Sequence, residues 1–148
     1  MKKFTSITIP ILVSIIFASC TLFPQKNTMN TTLIIPENAK TVTFAGGCFW
    51  CLDPAFDNEP GVLQAIVGYA GGHLENPSYD QVLTETTGHR ESIQVTYDPT
   101  KVSYERLVEV FFHQIDPTDS GGQFADRGES YTTAIWYQND DEKRIAED

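Results

Sequence analysis

The amino-acid sequence predicts an α+β domain, a two-layer α/β sandwich with a ferredoxin-like core and a mixed sheet. From residue 39 onward, short β-prone runs alternate with segments of helical pattern, which is typical of a sheet covered by helices. The chain has 148 residues, 41% of them hydrophobic and 20% charged, as in an ordinary globular protein. That length suits one domain rather than two.

The predicted strands are β-branched or aromatic runs that stop at turn residues. The first run ends at Gly46 and Gly47, and the third alternates Ile93, Val95 and Tyr97 on one face. Helical patterns follow these runs along the chain. The predicted strands are residues 41–45, 62–70, 92–97 and 132–137, and the predicted helices are residues 48–56, 78–84 and 104–115, with a last helix after Asn139.

The clearest helix pattern follows Ser103, which is a good N-cap residue. Apolar side chains then recur at helical spacing on one stripe, so we expect this helix to cover the sheet. The stripe consists of Tyr104, Leu107, Val108, Phe111, Phe112 and Ile115.

The N-terminus has the layout of an export signal. Lys2 and Lys3 precede an uncharged apolar run, and Ala18 and Ser19 precede Cys20, which resembles the lipidation site of bacterial lipoproteins. We therefore predict a signal peptide over residues 1–19, lipidation of Cys20, a tether over residues 20–38 and a folded domain over residues 39–148. The expected location is the cell envelope, as a membrane-anchored lipoprotein on its periplasmic or extracellular face. An ordinary secretory signal with an incidental cysteine is the alternative.

The net charge of −10 makes nucleic acid a poor partner, because an acidic surface repels phosphates. The chain has three cysteines. If Cys20 is lipidated, Cys48 and Cys51 remain as a thiol pair.

The segment GGCFWC at residues 46–51 carries the chemistry. A strand, a glycine turn and a helix start would place Cys48 at a helix N-terminus, which favours its thiolate form. Cys51 lies one helical turn further, within disulfide range of Cys48. Half of a zinc site and a structural disulfide are alternatives, but His73, His89 and His113 show no paired metal spacing. We therefore predict redox chemistry and no metal.

Several segments together resemble the type A methionine sulfoxide reductases. Each is weak alone, whereas their shared order from about residue 41 to residue 137 is specific. The matching segments are GCFW at residues 47–50, GYAGG at 68–72, NPSY at 76–79, TGHRE at 87–91, VTYDP at 95–99, DPT at 116–118 and DRGESY at 126–131.

This resemblance implies a role for each site residue. Cys48 attacks the sulfoxide sulfur, Glu91 protonates the sulfoxide oxygen, and Cys51 resolves the oxidised Cys48. By the same resemblance, Tyr79 and Tyr131 donate hydrogen bonds to the sulfoxide oxygen. Phe49 and Trp50 form an apolar pocket for the terminal methyl group of the substrate, and Asp126 supports the site by hydrogen bonding.

The resemblance also implies the reaction and its partners. The substrate is methionine-S-sulfoxide, free or in oxidised proteins, and thioredoxin or a thioredoxin-like dithiol is the reductant. We expect no cofactor and a monomer.

Two departures from the family pattern stand out. Asp53 occupies a position where the family usually has Glu, and the chain ends at Asp148 where the family normally continues. We therefore expect a domain that lacks its C-terminal part. The rival functions are a thioredoxin-like disulfide oxidoreductase, since C-x-x-C after a strand suits one, and an inactive truncated lipoprotein that only binds.

Overall fold

A computed structural model describes residues 35–148 of the chain. The predicted signal peptide, Cys20 and most of the predicted tether lie outside the described residues. Within them, no helix has the length and apolar character needed to cross a membrane. The elements are β1 (Lys40–Ala45), α1 (Phe49–Asp57), β2 (Val62–Ala70), α2 (Tyr79–Val82), β3 (Arg90–Tyr97), α3 (Tyr104–Phe112), β4 (Gly122–Gln123), β5 (Asp126–Arg127), a 3-10 helix (Glu129–Tyr131), β6 (Ala134–Trp136) and α4 (Asp140–Glu147).

The main sheet has the strand order β2-β3-β1-β6. This order, with a helix between β1 and β2 and another between β3 and β6, is the ferredoxin-like arrangement, so the predicted α+β class is confirmed. Every pairing in the sheet is antiparallel, in contrast to the mixed sheet that we expected. The reason is that β1 and β2 run in the same direction but β3 lies between them, so these parallel strands are not neighbours.

Helices α1 and α3 cover one face of this sheet. Phe44 of β1 is fully buried, with its ring stacked on Phe56 of α1 at 5.2 Å and on Phe111 of α3 at 4.9 Å between centroids. Burying such a side chain contributes about 1.5–3 kcal/mol. The helix predicted over residues 104–115 ends at Phe112, so Ile115 lies beyond it. The apolar stripe on α3 faces this core except at Phe112, which is 39% exposed.

A small two-stranded sheet, β4 with β5, precedes the 3-10 helix. Its strands have two residues each, too few to show the alternation that predicts a strand. Gln123 in β4 is buried, and its side-chain amide makes two hydrogen bonds to the backbone of Asp116. Its Oε1 accepts from the Asp116 N–H, and its Nε2 donates to the Asp116 carbonyl. This small sheet therefore fixes the chain segment that leads into the 3-10 helix.

Candidate active site

The turn between β1 and α1 presents Cys48. Gly47 has a φ of +80°, and its N–H donates to the Tyr131 carbonyl at 3.1 Å. Cys48 is the N-cap of α1 in an extended conformation, and its side chain makes no capping hydrogen bond. The half-buried Cys48 therefore lies at the N-terminal end of α1, directly before Phe49.

We expect Gly47→Ala to destabilise the fold by about 1–3 kcal/mol, because a non-glycine residue is strained at this φ. A Cβ atom at residue 47 would also lie 2.7 Å from the Cβ of the buried Gln123. The matched control is Gly68→Ala, since a Cβ there meets no atom within 4 Å. Chemical denaturation of both variants measures the difference. Equal stabilities would contradict this account of the turn.

Glu91 lies next to the cysteine turn, although a glutamate at the start of a strand is usually exposed. On β3 it shares the inward face with Ile93 and Val95, and only 3% of it is accessible to solvent. Its Oε2 accepts a hydrogen bond from the Phe49 N–H at 3.1 Å. Burial raises the pKa of the Glu91 carboxyl, the Phe49 N–H lowers it in part, and the Asp126 charge raises it further. Glu91 therefore keeps its proton to a higher pH than a free glutamate does.

Two tyrosines from separate segments meet near Glu91. Tyr79 begins α2 and is half exposed, and Tyr131 ends the 3-10 helix. Burial raises the pKa of Tyr131 to about 12, with further contributions from Glu91, Tyr79 and Asp126. Tyr131 therefore stays a neutral hydrogen-bond donor at physiological pH.

Cys51 lies one helical turn after Cys48, and its N–H donates to the Cys48 carbonyl at 2.9 Å. The two sulfurs are not bonded to each other in the structure. Burial first, and then the neighbouring Cys48, raise the pKa of the Cys51 thiol. The Cys51 thiol therefore loses its proton at a higher pH than a free cysteine does.

Two aromatic rings lie against that of Phe49, the residue after Cys48. The Phe49 ring is 5.5 Å from that of Trp50 and 5.8 Å from that of Tyr69, between centroids. Phe49 is buried, whereas Trp50 is 71% exposed and so presents its ring to solvent. Tyr69 is the site residue that the sequence analysis missed. Since it pairs with Glu91 between β2 and β3, the strand register would have revealed it.

Asp126 on β5 lies close enough to Glu91, Cys51 and Tyr131 for its charge to raise the pKa values of all three. The hydrogen-bonding role expected for Asp126 stays a prediction. The structure thus brings together all eight residues that the sequence analysis assigned to the reaction.

No group of three or more His, Cys, Asp or Glu side chains that could hold a metal ion occurs in residues 35–148. His89 has a structural role instead. Its Nδ1 accepts from the Gly72 N–H at 3.3 Å, so Nε2 carries the proton and donates to the Leu74 carbonyl at 2.8 Å. His89 therefore packs in the loop before β3.

Comparison with protein families finds a match over residues 40–148 to the family described as peptide methionine sulfoxide reductase. Among curated proteins, the peptide methionine sulfoxide reductase MsrA of Bacillus velezensis is 59% identical over 111 residues, covering 75% of this chain and 63% of the relative. MsrA of Bacillus subtilis is 57% identical over 111 residues, with the same coverage of 75% and 63%. The chain thus spans slightly less than two thirds of these relatives' length.

Two solved structures are similar to the described fold. Methionine sulfoxide reductase A of Corynebacterium diphtheriae superposes with a TM-score of 0.71 at 33% identity, covering 76% of this chain and 56% of that one. Mxr1 from Saccharomyces cerevisiae in its reduced form has a TM-score of 0.69 at 29% identity, covering 76% of this chain and 67% of that one.

Proposed function

The chain belongs to the peptide methionine sulfoxide reductase family, and from this premise we propose that it reduces methionine-S-sulfoxide to methionine with Cys48 as the nucleophile. One observation carries the proposal most directly. The buried Glu91 carboxyl bonds to the backbone N–H of Phe49, the residue that follows Cys48. A nucleophile and a proton donor therefore lie at the same helix start, as the reduction of a sulfoxide requires.

In the first step the Cys48 thiolate attacks the sulfoxide sulfur. The sulfoxide oxygen is a poor leaving group until it is protonated, and Glu91 supplies that proton. The Tyr131 and Tyr79 hydroxyls donate hydrogen bonds to this oxygen. The oxygen passes to the Cys48 sulfur, so the products are methionine and a Cys48 sulfenic acid.

In the second step the Cys51 thiol attacks the Cys48 sulfenic acid. A Cys48–Cys51 disulfide forms and one water leaves. An external dithiol such as thioredoxin then reduces the disulfide by thiol–disulfide exchange and is itself oxidised. The exposed position of Cys51 favours this exchange, because the attacking thiol must reach a sulfur at the surface.

The exposed Trp50 ring and the buried Phe49 ring are suited to hold the terminal methyl group of the substrate. Trp50 and the half-exposed Tyr79 lie at the surface, so the site can accept methionine sulfoxide as a free amino acid or in a protein. The family membership supports a preference for the S epimer.

We expect Cys51→Ser to separate this function from that of a disulfide oxidoreductase. Without added reductant, the variant should form about one methionine per chain and then stop, because Cys48 alone carries the first step. Quench-flow sampling with chromatographic measurement of methionine gives this stoichiometry. A thioredoxin-like oxidoreductase would form no methionine at all, and it would leave the buried Glu91 without a role.

The proposal extends to a lipid-anchored location in the cell envelope, with Cys20 as the modified residue and the domain as a monomer. The basic residues, the apolar run and the small residues before Cys20 support the anchor. Labelling of cells with a fatty-acid analogue tests it. The label should attach to the wild-type chain and not to Cys20→Ala, and equal labelling of both would exclude Cys20.

A further inference from the structure

The two site tyrosines lie on separate segments, and one glutamate joins these segments. We call residues 78–85 the Tyr79 segment and residues 128–131 the Tyr131 turn. Glu85 ends the first segment, and its carboxylate accepts hydrogen bonds from the Ser130 N–H at 2.9 Å and the Ser130 hydroxyl at 2.7 Å. A side-chain hydrogen bond between Tyr79 and Tyr131, which contributes to the raised pKa of Tyr131, also joins the two segments. We infer that Glu85 is a positioning residue that holds both tyrosine hydroxyls at the sulfoxide oxygen, an inference that rests on the function proposed above.

The Ser130 side of this contact is buried. Only 1% of Ser130 is accessible to solvent, so its hydroxyl cannot turn to water when a protein partner is lost. An unpaired buried donor is costly, and hydrogen bonds to a carboxylate are stronger than those between neutral groups. The conformation of the Tyr131 turn therefore depends on Glu85.

The backbone conformations of Glu85 and Gly128 bring the Glu85 carboxylate against the Tyr131 turn. Glu85 has a φ of +58°, a conformation that few residues with side chains adopt. Gly128 has a φ of +128°, and a Cβ there would lie 2.5 Å from Oε1 of Glu85. Unfavourable backbone conformations persist where surrounding contacts hold them. The strained Glu85 backbone and the missing side chain at Gly128 both make the contact possible.

Hydrogen bonds at Tyr131 and at the residues on either side of it fix its position. Its carbonyl accepts from the Gly47 N–H, and the next residue, Thr132, accepts at Oγ1 from Nε of Arg90 at 2.8 Å. Glu85 holds Tyr131 from the preceding residue, Ser130. Losing Glu85 would release that side of the turn and the Tyr79 segment together, so both hydroxyls would shift relative to Glu91 and Cys48.

Two substitutions at residue 85 test the inference. Glycine prefers the left-handed conformation, so Glu85→Gly relieves the backbone while removing the carboxylate. Glu85→Gln keeps one hydrogen bond to each Ser130 group, because its carbonyl accepts from the Ser130 N–H and its amide donates to the Ser130 hydroxyl oxygen. Only the Ser130 hydroxyl hydrogen loses its acceptor. We expect Glu85→Gly to slow single-turnover methionine formation about tenfold and Glu85→Gln to change it by less than about twofold.

The same Glu85→Gly substitution is then made in a chain carrying Tyr79→Phe and Tyr131→Phe. If Glu85 acts through the two hydroxyls, the rate in this background should change by less than about twofold. An equal loss in both backgrounds would show that Glu85 has a merely structural role. An unchanged rate in the wild-type background would overturn the inference outright.

Amide hydrogen exchange gives a readout that does not require activity. Exchange at the Ser130 N–H should accelerate in Glu85→Gly by at least about tenfold and stay near the wild-type rate in Glu85→Gln. Unchanged exchange in Glu85→Gly would refute the positioning role, whatever the activity. A wild-type chain that forms no methionine would contradict the proposed function instead, and the exchange data would then decide whether Glu85 holds the turn.

Discussion

Cys48→Ser should abolish the reduction of methionine sulfoxide, with a loss on the order of 10³-fold or more. Cys48 lies at the start of α1, and the N–H of the next residue, Phe49, donates to the Glu91 carboxyl, which is the proposed proton donor. A serine hydroxyl at this position is a far weaker nucleophile than a thiolate, and it cannot form a sulfenic acid.

This substitution should not harm the fold. Cys48 is the N-cap of α1 and makes no side-chain capping hydrogen bond, whereas serine is among the preferred N-cap residues. We therefore expect Cys48→Ser to be as stable as the wild type or more stable by up to about 1 kcal/mol. Methionine formation and thermal unfolding of the same sample measure both effects. Product from a folded Cys48→Ser chain would show that the nucleophile is elsewhere.

Glu91→Gln should slow the first chemical step about 10²–10⁴-fold, because glutamine cannot donate a proton to the sulfoxide oxygen. The substitution keeps the size of the side chain and an oxygen that can accept from the Phe49 N–H. Since the acid must be protonated, the wild-type single-turnover rate should fall as pH rises through the raised pKa of Glu91. Glu91→Gln should lack this decline. A variant that keeps the wild-type rate and pH profile would exclude Glu91 as the proton donor.

The same substitution should change how stability depends on pH. Burial raises the pKa of Glu91 in the folded state above its value in the unfolded chain. Glu91 therefore contributes stability below the unfolded pKa, and this contribution is lost as pH rises through the folded pKa. Glutamine does not titrate, so the stability of Glu91→Gln should increase relative to the wild type across this window. Unfolding midpoints at several pH values test the sign, and a constant difference would contradict the raised pKa.

Much of the fold follows from local patterns in the sequence. The predicted strands over residues 62–70 and 92–97 and the helix after Ser103 were recognisable from β-branched runs and helical spacing, and the structure confirms them. Ser103 and Asn139 cap their helices through their side chains, as expected. These features depend on neighbours within a few residues, which a sequence displays directly.

The contacts between distant segments could not be found in this way. The β4–β5 hairpin has strands too short for a pattern, and Tyr69 joins the site only through its pairing with Glu91. Glu85 is an ordinary polar loop residue in the sequence, yet it contacts Ser130 across 45 positions. Glu91 is similar, since its environment depends on Phe49, 42 positions away. The resemblance suggested which residues react, whereas packing between separate segments determines their surroundings.

The central claim is that methionine sulfoxide oxidises Cys48 to a sulfenic acid, and that Cys51 then converts this sulfenic acid into a Cys48–Cys51 disulfide. The most direct test uses the fully reduced chain carrying Cys20→Ser. The chain is mixed with methionine sulfoxide that contains both the S and the R epimer at sulfur, and no external reductant is added. Chromatography measures methionine and the remaining epimers, and peptide mass spectrometry measures the disulfide. The account predicts about one methionine and one Cys48–Cys51 disulfide per chain, with only the S epimer consumed. A folded chain that forms no methionine, or that forms methionine while Cys48 stays reduced, would contradict it.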